Sequence, residues 1–163
     1  MAKVWKFGSD VDTDQIVPGR YAPYMRPGED VGDAAFIEAC PDFNQGAEQG
    51  DIIVAEDNFG CGSSREYAPL ALKRRGVAAI VANSFARIFY RNAVNLGIPL
   101  FAAPGAVEQL EQGDEVQLDL ENGVIVHAGG EIELPPLSVF AREVIAAGGI
   151  VPYVREHGRF PGE

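Results

Sequence analysis

Sulfur, histidine and long apolar runs are scarce in this chain of 163 residues. It holds two cysteines, Cys40 and Cys61, and two histidines, His127 and His157. Neither thiol sits in a C-x-x-C pair, and the two are too few for a disulfide framework. They also fall short of the thiolates an iron–sulfur cluster takes, so the chain is expected to bind no cofactor and no metal. The histidines lack metal-ligand spacing and read as surface or packing residues. No apolar run approaches the roughly 20 residues of a membrane span. The start, Met1-Ala2-Lys3-Val4-Trp5-Lys6-Phe7, has no signal-peptide apolar region. The expectation is a cytoplasmic protein that does not engage membranes.

Positive charge is also in deficit, with a formal net charge of −11. The deficit is uneven. Between Cys61 and Asn95, six basic residues (Arg65, Lys73, Arg74, Arg75, Arg87, Arg91) stand against the single acid Glu66, so that window is +5 and the remainder −16. An acidic chain with one basic island suits a small anion and not nucleic acid. Lys73-Arg74-Arg75 complement the C-terminal end of a helix dipole and need no ligand. Arg65 and Arg87 fall near the beginnings of their expected helices, where a positive charge costs roughly 0.3–1 kcal/mol. Something negative is expected to offset them. The 47% hydrophobic content is that of a folded protein. The length suits one core, hence a single domain over residues 1–163.

Three continuous apolar stretches organise the first hundred residues. Asp51–Ala55, Val77–Ala82 and Ile98–Phe101 read as buried strands, separated by expected helices over Tyr67–Arg75 and Phe85–Leu96. Gly76 and Gly97 close those helices, and Asn83-Ser84 are candidate caps for the second. This βαβαβ pattern implies an α/β fold with a parallel core. Val4–Phe7 reads as a first strand, Asp33–Ala39 as a short helix and Asp42–Gly50 as a connector. Arg20–Asp30, with two prolines and a glycine, reads as a long loop of the kind that often carries function. The last third changes character. Glu115–Leu120 alternates, Asn122-Gly123 signals a hairpin, and Val124–Val126 and Glu131–Leu134 complete a small antiparallel element. Helices over Leu137–Ala147 and Ile150–His157 follow. The run Asp10-Val11-Asp12-Thr13-Asp14 starts like a calcium loop, but Gln15 stands where its glycine belongs, so its polar side chains are read as closing turns.

Between the strand at 51–55 and the helix at 67–75 lies Asp57-Asn58-Phe59-Gly60-Cys61-Gly62-Ser63-Ser64-Arg65-Glu66. Such a strand-to-helix turn offers backbone N–H groups to an anion. It is no P-loop, since the lysine is missing, and no dinucleotide fingerprint, since Arg65 stands at the third glycine. Ser63-x-x-Glu66 matches a capping box. Pro69 opposes that reading, because a helix capped at Ser63 would carry the proline in its interior, at a cost of about 3 kcal/mol. A start nearer Arg65 or Glu66 puts Pro69 in the first turn and frees Ser63 and Ser64. Consecutive N–H groups, a helix start and Arg65 can stabilise a serine that handles a proton beside a carboxylate.

These residues resemble a known family. Asp57-x-x-x-Gly60-x-Gly62-Ser63-Ser64-Arg65-Glu66 is similar to the signature of the aconitase swivelling domain. Ala79-Ile80-Val81-Ala82-Asn83-Ser84-Phe85-Ala86-Arg87-Ile88-Phe89-x-Arg91-Asn92 and Asp12-Thr13-Asp14-x-Ile16-x-Pro18-Gly19-Arg20-Tyr21 resemble two further blocks. The resemblance covers nearly the whole chain. It implies an aconitase-type swivelling β/β/α domain and, at this length, a separate small subunit of the 3-isopropylmalate dehydratase and homoaconitase kind. It further implies a large-subunit partner carrying a [4Fe-4S] cluster, and a small dicarboxylate or tricarboxylate substrate. The family reaction is a dehydration and rehydration that moves a hydroxyl between adjacent carbons of a malate-type acid. By match, Ser63 is the base and Asp14 an active-site aspartate, while Ser64 and Arg65 bind substrate carboxylate; Cys61 receives no role. Substrate choice is implied in the loop after Arg20-Tyr21, where Pro23 takes the discriminating position. Tyr24 and Arg26 beside it are the further substrate-binding candidates. An arginine facing an isopropyl group would be an unpaired buried charge, so the placement of Arg26 bears on the choice. The reading leans to isopropylmalate, in leucine biosynthesis. The alternatives are a homoaconitase small subunit acting on homocitrate and homoisocitrate, in lysine biosynthesis, and a non-catalytic anion-binding regulatory module.

Overall fold

In a computed structural model describing residues 1–163, the apolar stretches become neighbouring strands of one sheet. Strands β1 (Ala2–Lys6), β2 (Ile52–Ala55), β3 (Ala79–Ala82) and β4 (Leu100–Ala102) run parallel. Strands β5 (Glu115–Asp119), β6 (Val124–His127) and β7 (Gly130–Glu133) pair antiparallel, and β5 joins them to β1. The order across the seven strands is β4-β3-β2-β1-β5-β6-β7. The fold is therefore mixed α/β with a parallel core, as expected, and the antiparallel element extends the same sheet.

Alternate residues of each central strand enter different cores. Trp5, Ile53, Ala55, Ile80, Ala82 and Leu100 belong to the larger one, and Val4, Ile52, Val54, Ala79, Val81 and Phe101 to the smaller one. Burial on both faces is why these strands read as unbroken apolar runs. The larger core is covered by α1 (Thr13–Ile16), α2 (Pro41–Gly46), α3 (Tyr67–Arg75), α4 (Arg87–Asn95) and α6 (Val139–Ala147). The smaller is closed by α5 (Pro104–Gln109) and the inward residues of β5 to β7. Helix α7 (Ile150–His157) follows α6 after Gly148 and Gly149.

Several boundaries move, each for a local reason. Asp51 is not the first residue of β2; it lies just before it, buried, and accepts hydrogen bonds from the amides of Lys3 and Glu48 and the indole of Trp5. The helix expected over Asp33–Ala39 is a 3-10 turn over Val31–Ala34, capped by Asp30 and ended near Phe36, whose φ is +53°. The first half of the expected connector is α2, which opens one residue earlier on Pro41, a favoured first helical residue. Helix α1 was legible only as turn chemistry: Asp12 caps it and Gln15 bonds back to the Asp12 amide, a full capping box. Asn83-Ser84 do not cap α4. Ser84 instead accepts from the Asn58 and Phe59 amides, which holds residues 84–86 against the preceding loop and delays the helix to Arg87.

Candidate functional site

The loops after β1, β2 and β3 leave the carboxyl edge of the parallel strands together, where open α/β sheets commonly bind ligands. The loop after β2 is threaded between the other two. Gly60 N–H donates to the Val11 carbonyl at 2.7 Å, and Thr13 N–H to that of Cys61 at 2.9 Å. On the other side, Phe59 N–H donates to Ser84, and Ala86 N–H donates back to Phe59. The Thr13 hydroxyl, itself buried, donates to the Ser63 carbonyl at 2.7 Å and fixes the turn from below. Gly62, at φ +89°, passes Asp12 so closely that a Cβ would stand 3.2 Å from the aspartate's own. Glycine is needed there for conformation and for space.

Helix α3 begins at Tyr67 with Pro69 as its third residue. Ser63 and Ser64 therefore lie in the turn, exposed, and neither caps the helix. They share a cleft of about 210 Å³ with Thr13, Arg65, Arg87, Ile88, Asn92 and the backbone of Gly60 and Gly62. Neither Glu66 nor Ala86 caps its helix with a side chain; α4 brings the free N–H groups of Arg87, Ile88 and Phe89 to this edge, whereas at the start of α3 Ala68 N–H donates to the Arg65 carbonyl and Pro69 has none. No histidine lines the cleft. Burial, assisted by Asp12 and Asp10, pushes the Cys61 thiol above its ordinary pKa, so it stays protonated and is a poor nucleophile.

Arg65 is held by one nitrogen. Its Nη1 donates to the Tyr67 hydroxyl at 2.7 Å and to Oδ1 of Asp14 at 3.4 Å. The Tyr67 bond, then the charges around it, raise the Arg65 pKa against the opposing effect of burial, and the guanidinium remains a cation. Asp14 also accepts from the Gly19 amide at 3.1 Å. Its side chain is 63% exposed, so the ion pair with Arg65 adds little stability and acts mainly on orientation.

The structure thus brings Ser63, Ser64, Arg65 and Asp14 together and leaves two other candidates outside. Tyr24 is 73% exposed, lies outside the cleft lining and contacts the Tyr67 ring edge-on at 6.4 Å between centroids. Arg26 lines a separate cavity of about 90 Å³ with Tyr21, Pro23 and Glu29. Its Nε donates to the Arg20 carbonyl, its Nη1 lies 3.8 Å from Glu29, and its guanidinium sits over the Tyr21 ring. Thr13, Tyr67, Arg87 and Asn92 were not foreseen as site residues. Arg87 carried a signal, as a cation at a helix start; Tyr67 carried none, since its role depends on a partner two residues away in a turn. No group of three or more His, Cys, Asp or Glu residues is placed to hold a metal ion, and no helix is long and apolar enough to cross a membrane.

Residues 10–103, which include the contacting segments of all three converging loops, match the aconitase C-terminal domain family. A 3-isopropylmalate dehydratase small subunit of Deinococcus radiodurans is 49% identical over all of this chain and 92% of its own length. The homoaconitase small subunit of Thermus thermophilus is 50% identical over the full length of both chains. The crystal structure of a 3-isopropylmalate dehydratase from Methanocaldococcus jannaschii superposes with a TM-score of 0.86 and 40% identity, covering 96% of this chain and 93% of that one. On this agreement of sequence, fold and motif, the chain belongs to the aconitase C-terminal domain family, and its relatives include 3-isopropylmalate dehydratase and homoaconitase small subunits.

Proposed function

We propose that this chain is the small subunit of a cytoplasmic hydro-lyase, a single swivelling domain over residues 1–163 that interconverts 2-isopropylmalate and 3-isopropylmalate together with a large subunit. The observation that carries the reading is one cleft holding two free serines beside an arginine anchored through a single nitrogen. Ser63 Oγ takes the carbon-bound proton and returns it during rehydration. Serine does this only as the alkoxide, its own proton having first left to solvent, and the start of α4, Arg65 and Arg87 supply the positive potential that stabilises that anion until it accepts the substrate proton. Ser64 and the free edge of Arg65 hold a substrate carboxylate, the latter as a bidentate clamp. Asp14 keeps Arg65 turned toward the cleft. The [4Fe-4S] cluster that the family implies does not fit this chain's residues, since Cys40 and Cys61 lie on different elements with no further ligand set beside them. The cluster is assigned to the large subunit, and no step on this chain runs through it.

A second reading, homoaconitase, is favoured by the full-length identity to the Thermus thermophilus subunit. The placement of Arg26 outside the cleft, beside Glu29, supports isopropylmalate, because it takes away one cation that the extra carboxylate of homocitrate could use and leaves Arg87 as the only one besides Arg65. Reconstitution with the large subunit, assayed on both substrates, separates the readings by the ratio of their kcat/KM values. In the same complex, Ser63→Ala is expected to lower kcat by about 10²–10⁴, the usual worth of a positioned proton-transfer group, with KM little changed. Near-wild-type turnover in that variant defeats the proton-transfer role. Tight carboxylate binding by the isolated chain, with no association to a large subunit, would instead support a regulatory module.

A further inference from the structure

We propose that Tyr67 is a positioning residue for substrate binding: its hydroxyl fixes the Arg65 guanidinium so that one edge stays presented to a substrate carboxylate. This rests on the reading of Arg65 as the carboxylate clamp. Tyr67 opens α3 and is only 8% exposed, so its ring is locked by the core. Its oxygen accepts from Arg65 Nη1 at 2.7 Å. Around the same nitrogen stand Asp14 Oδ1 at 3.4 Å and Gly19, where a Cβ would come within 3.2 Å. Nη1 is thus hemmed in on three sides. Nε and Nη2 make no hydrogen bond within the chain.

A bidentate carboxylate needs two N–H donors in a fixed plane. An arginine anchored by one terminal nitrogen has its plane set and two donors still free. Of the two anchors, the Asp14 contact is long and solvated, whereas the Tyr67 bond is short and rises from a buried ring. Tyr67 therefore sets the geometry and Asp14 trims it. Burial holds the Tyr67 phenol above its ordinary pKa although Arg65 pulls the other way, so it stays neutral at working pH and keeps a proton to donate in turn. Tyr24, edge-on to the same ring, connects this anchor to the Arg20–Asp30 loop.

Tyr67→Phe keeps the ring and removes only the hydroxyl. In the complex with the large subunit, KM should rise on the order of tenfold with kcat changed less than about threefold, the mark of lost ground-state binding. The melting temperature should stay within about 2 °C of wild type, because the packing is retained. In an Arg65→Lys background, which keeps charge and loses the fork, the same substitution should change KM less than about twofold, since residues that act as a unit are non-additive. Unchanged KM in Tyr67→Phe, with a raised KM in Arg65→Lys, overturns the positioning role alone. A full additional loss from Tyr67→Phe in the Arg65→Lys background overturns it too. Unchanged KM in Arg65→Lys overturns the clamp on which it rests.

Discussion

An ideal Cβ at Gly60 would stand 2.2 Å from Cγ of Phe89, and the residue's φ is +84°. Either fact alone disfavours a side chain; together they leave no relaxed solution, because Phe89 is buried in the larger core against Phe59. Gly60→Ala is expected to destabilise the fold by about 2–5 kcal/mol, from overpacking added to left-handed strain. A urea midpoint shifted down at constant slope would register it. Gly105, with open space around its Cβ position, is the control: its alanine variant should be neutral or gain about 0.5 kcal/mol. The glycines of the turn were plain in the sequence, and so was their likeness to an anion-binding loop. The presence of Phe89 beneath Gly60 was not, since the two residues meet only when α4 folds back over the turn after β2.

Helix starts decide what the serines are free to do. Pro69 was enough to read, from sequence, that α3 begins after Ser63, because a proline is tolerated in a first turn and costly beyond it. Helix α6 provides the contrast: Ser138 is extended, caps the helix, and its Oγ accepts from the Ala141 amide at 3.0 Å. Ser138→Ala should therefore lose about 1 kcal/mol of stability, whereas Ser63→Ala should lose less than about 0.5 kcal/mol. Thr13 bonds the Ser63 backbone carbonyl, which that substitution leaves in place. Equal losses in the two variants, measured by thermal or urea unfolding, would return Ser63 to a capping role. The shorter elements were not legible in this way. Helices α1 and α2 have four and six residues, too few to show a 3.6-residue period. Lys73-Arg74-Arg75 looked like generic dipole partners, yet Lys73 donates to the Leu96 and Gly148 carbonyls and Arg75 to that of Asn44. Their charge knits α3 to neighbouring segments, so only Arg65 and Arg87 of the basic window line the cleft.

Across the whole molecule, the parallel strands could be recognised from sequence but their order could not, because three equally apolar runs and the mixed Val4–Phe7 segment carry no label for position. The structure puts β1 between β2 and β5, where it joins the parallel and antiparallel halves of the sheet. Asp51 secures that junction: its carboxylate accepts from Lys3 N–H at 2.9 Å, Trp5 Nε1 at 3.0 Å and Glu48 N–H at 2.9 Å, while only 5% exposed. Burial is the largest single influence on this carboxyl and favours its neutral form. The Glu48 amide, the Trp5 indole, the Lys3 amide and the Lys3 charge together outweigh it, so the pKa is held below the ordinary value. A carboxyl whose pKa is lower in the folded state stabilises that state fully above its unfolded pKa of about 3.9, and the contribution drains away as pH falls through the folded value. Asp51→Asn replaces one acceptor oxygen with an NH₂ group facing other donors, and should lower stability at pH 7 by about 2 kcal/mol. Because β1 couples both halves, the loss should appear in one cooperative transition. Urea midpoints of the two proteins should differ most at pH 7, begin to converge below about pH 4, where the unfolded chain takes up the proton, and meet as pH falls through the lower folded pKa, where the wild type loses the ionised acceptor too. A gap between them that stays constant from pH 7 to pH 3 would mean that Asp51 acts through shape alone, and that the charge at the centre of the sheet contributes nothing to holding its halves together.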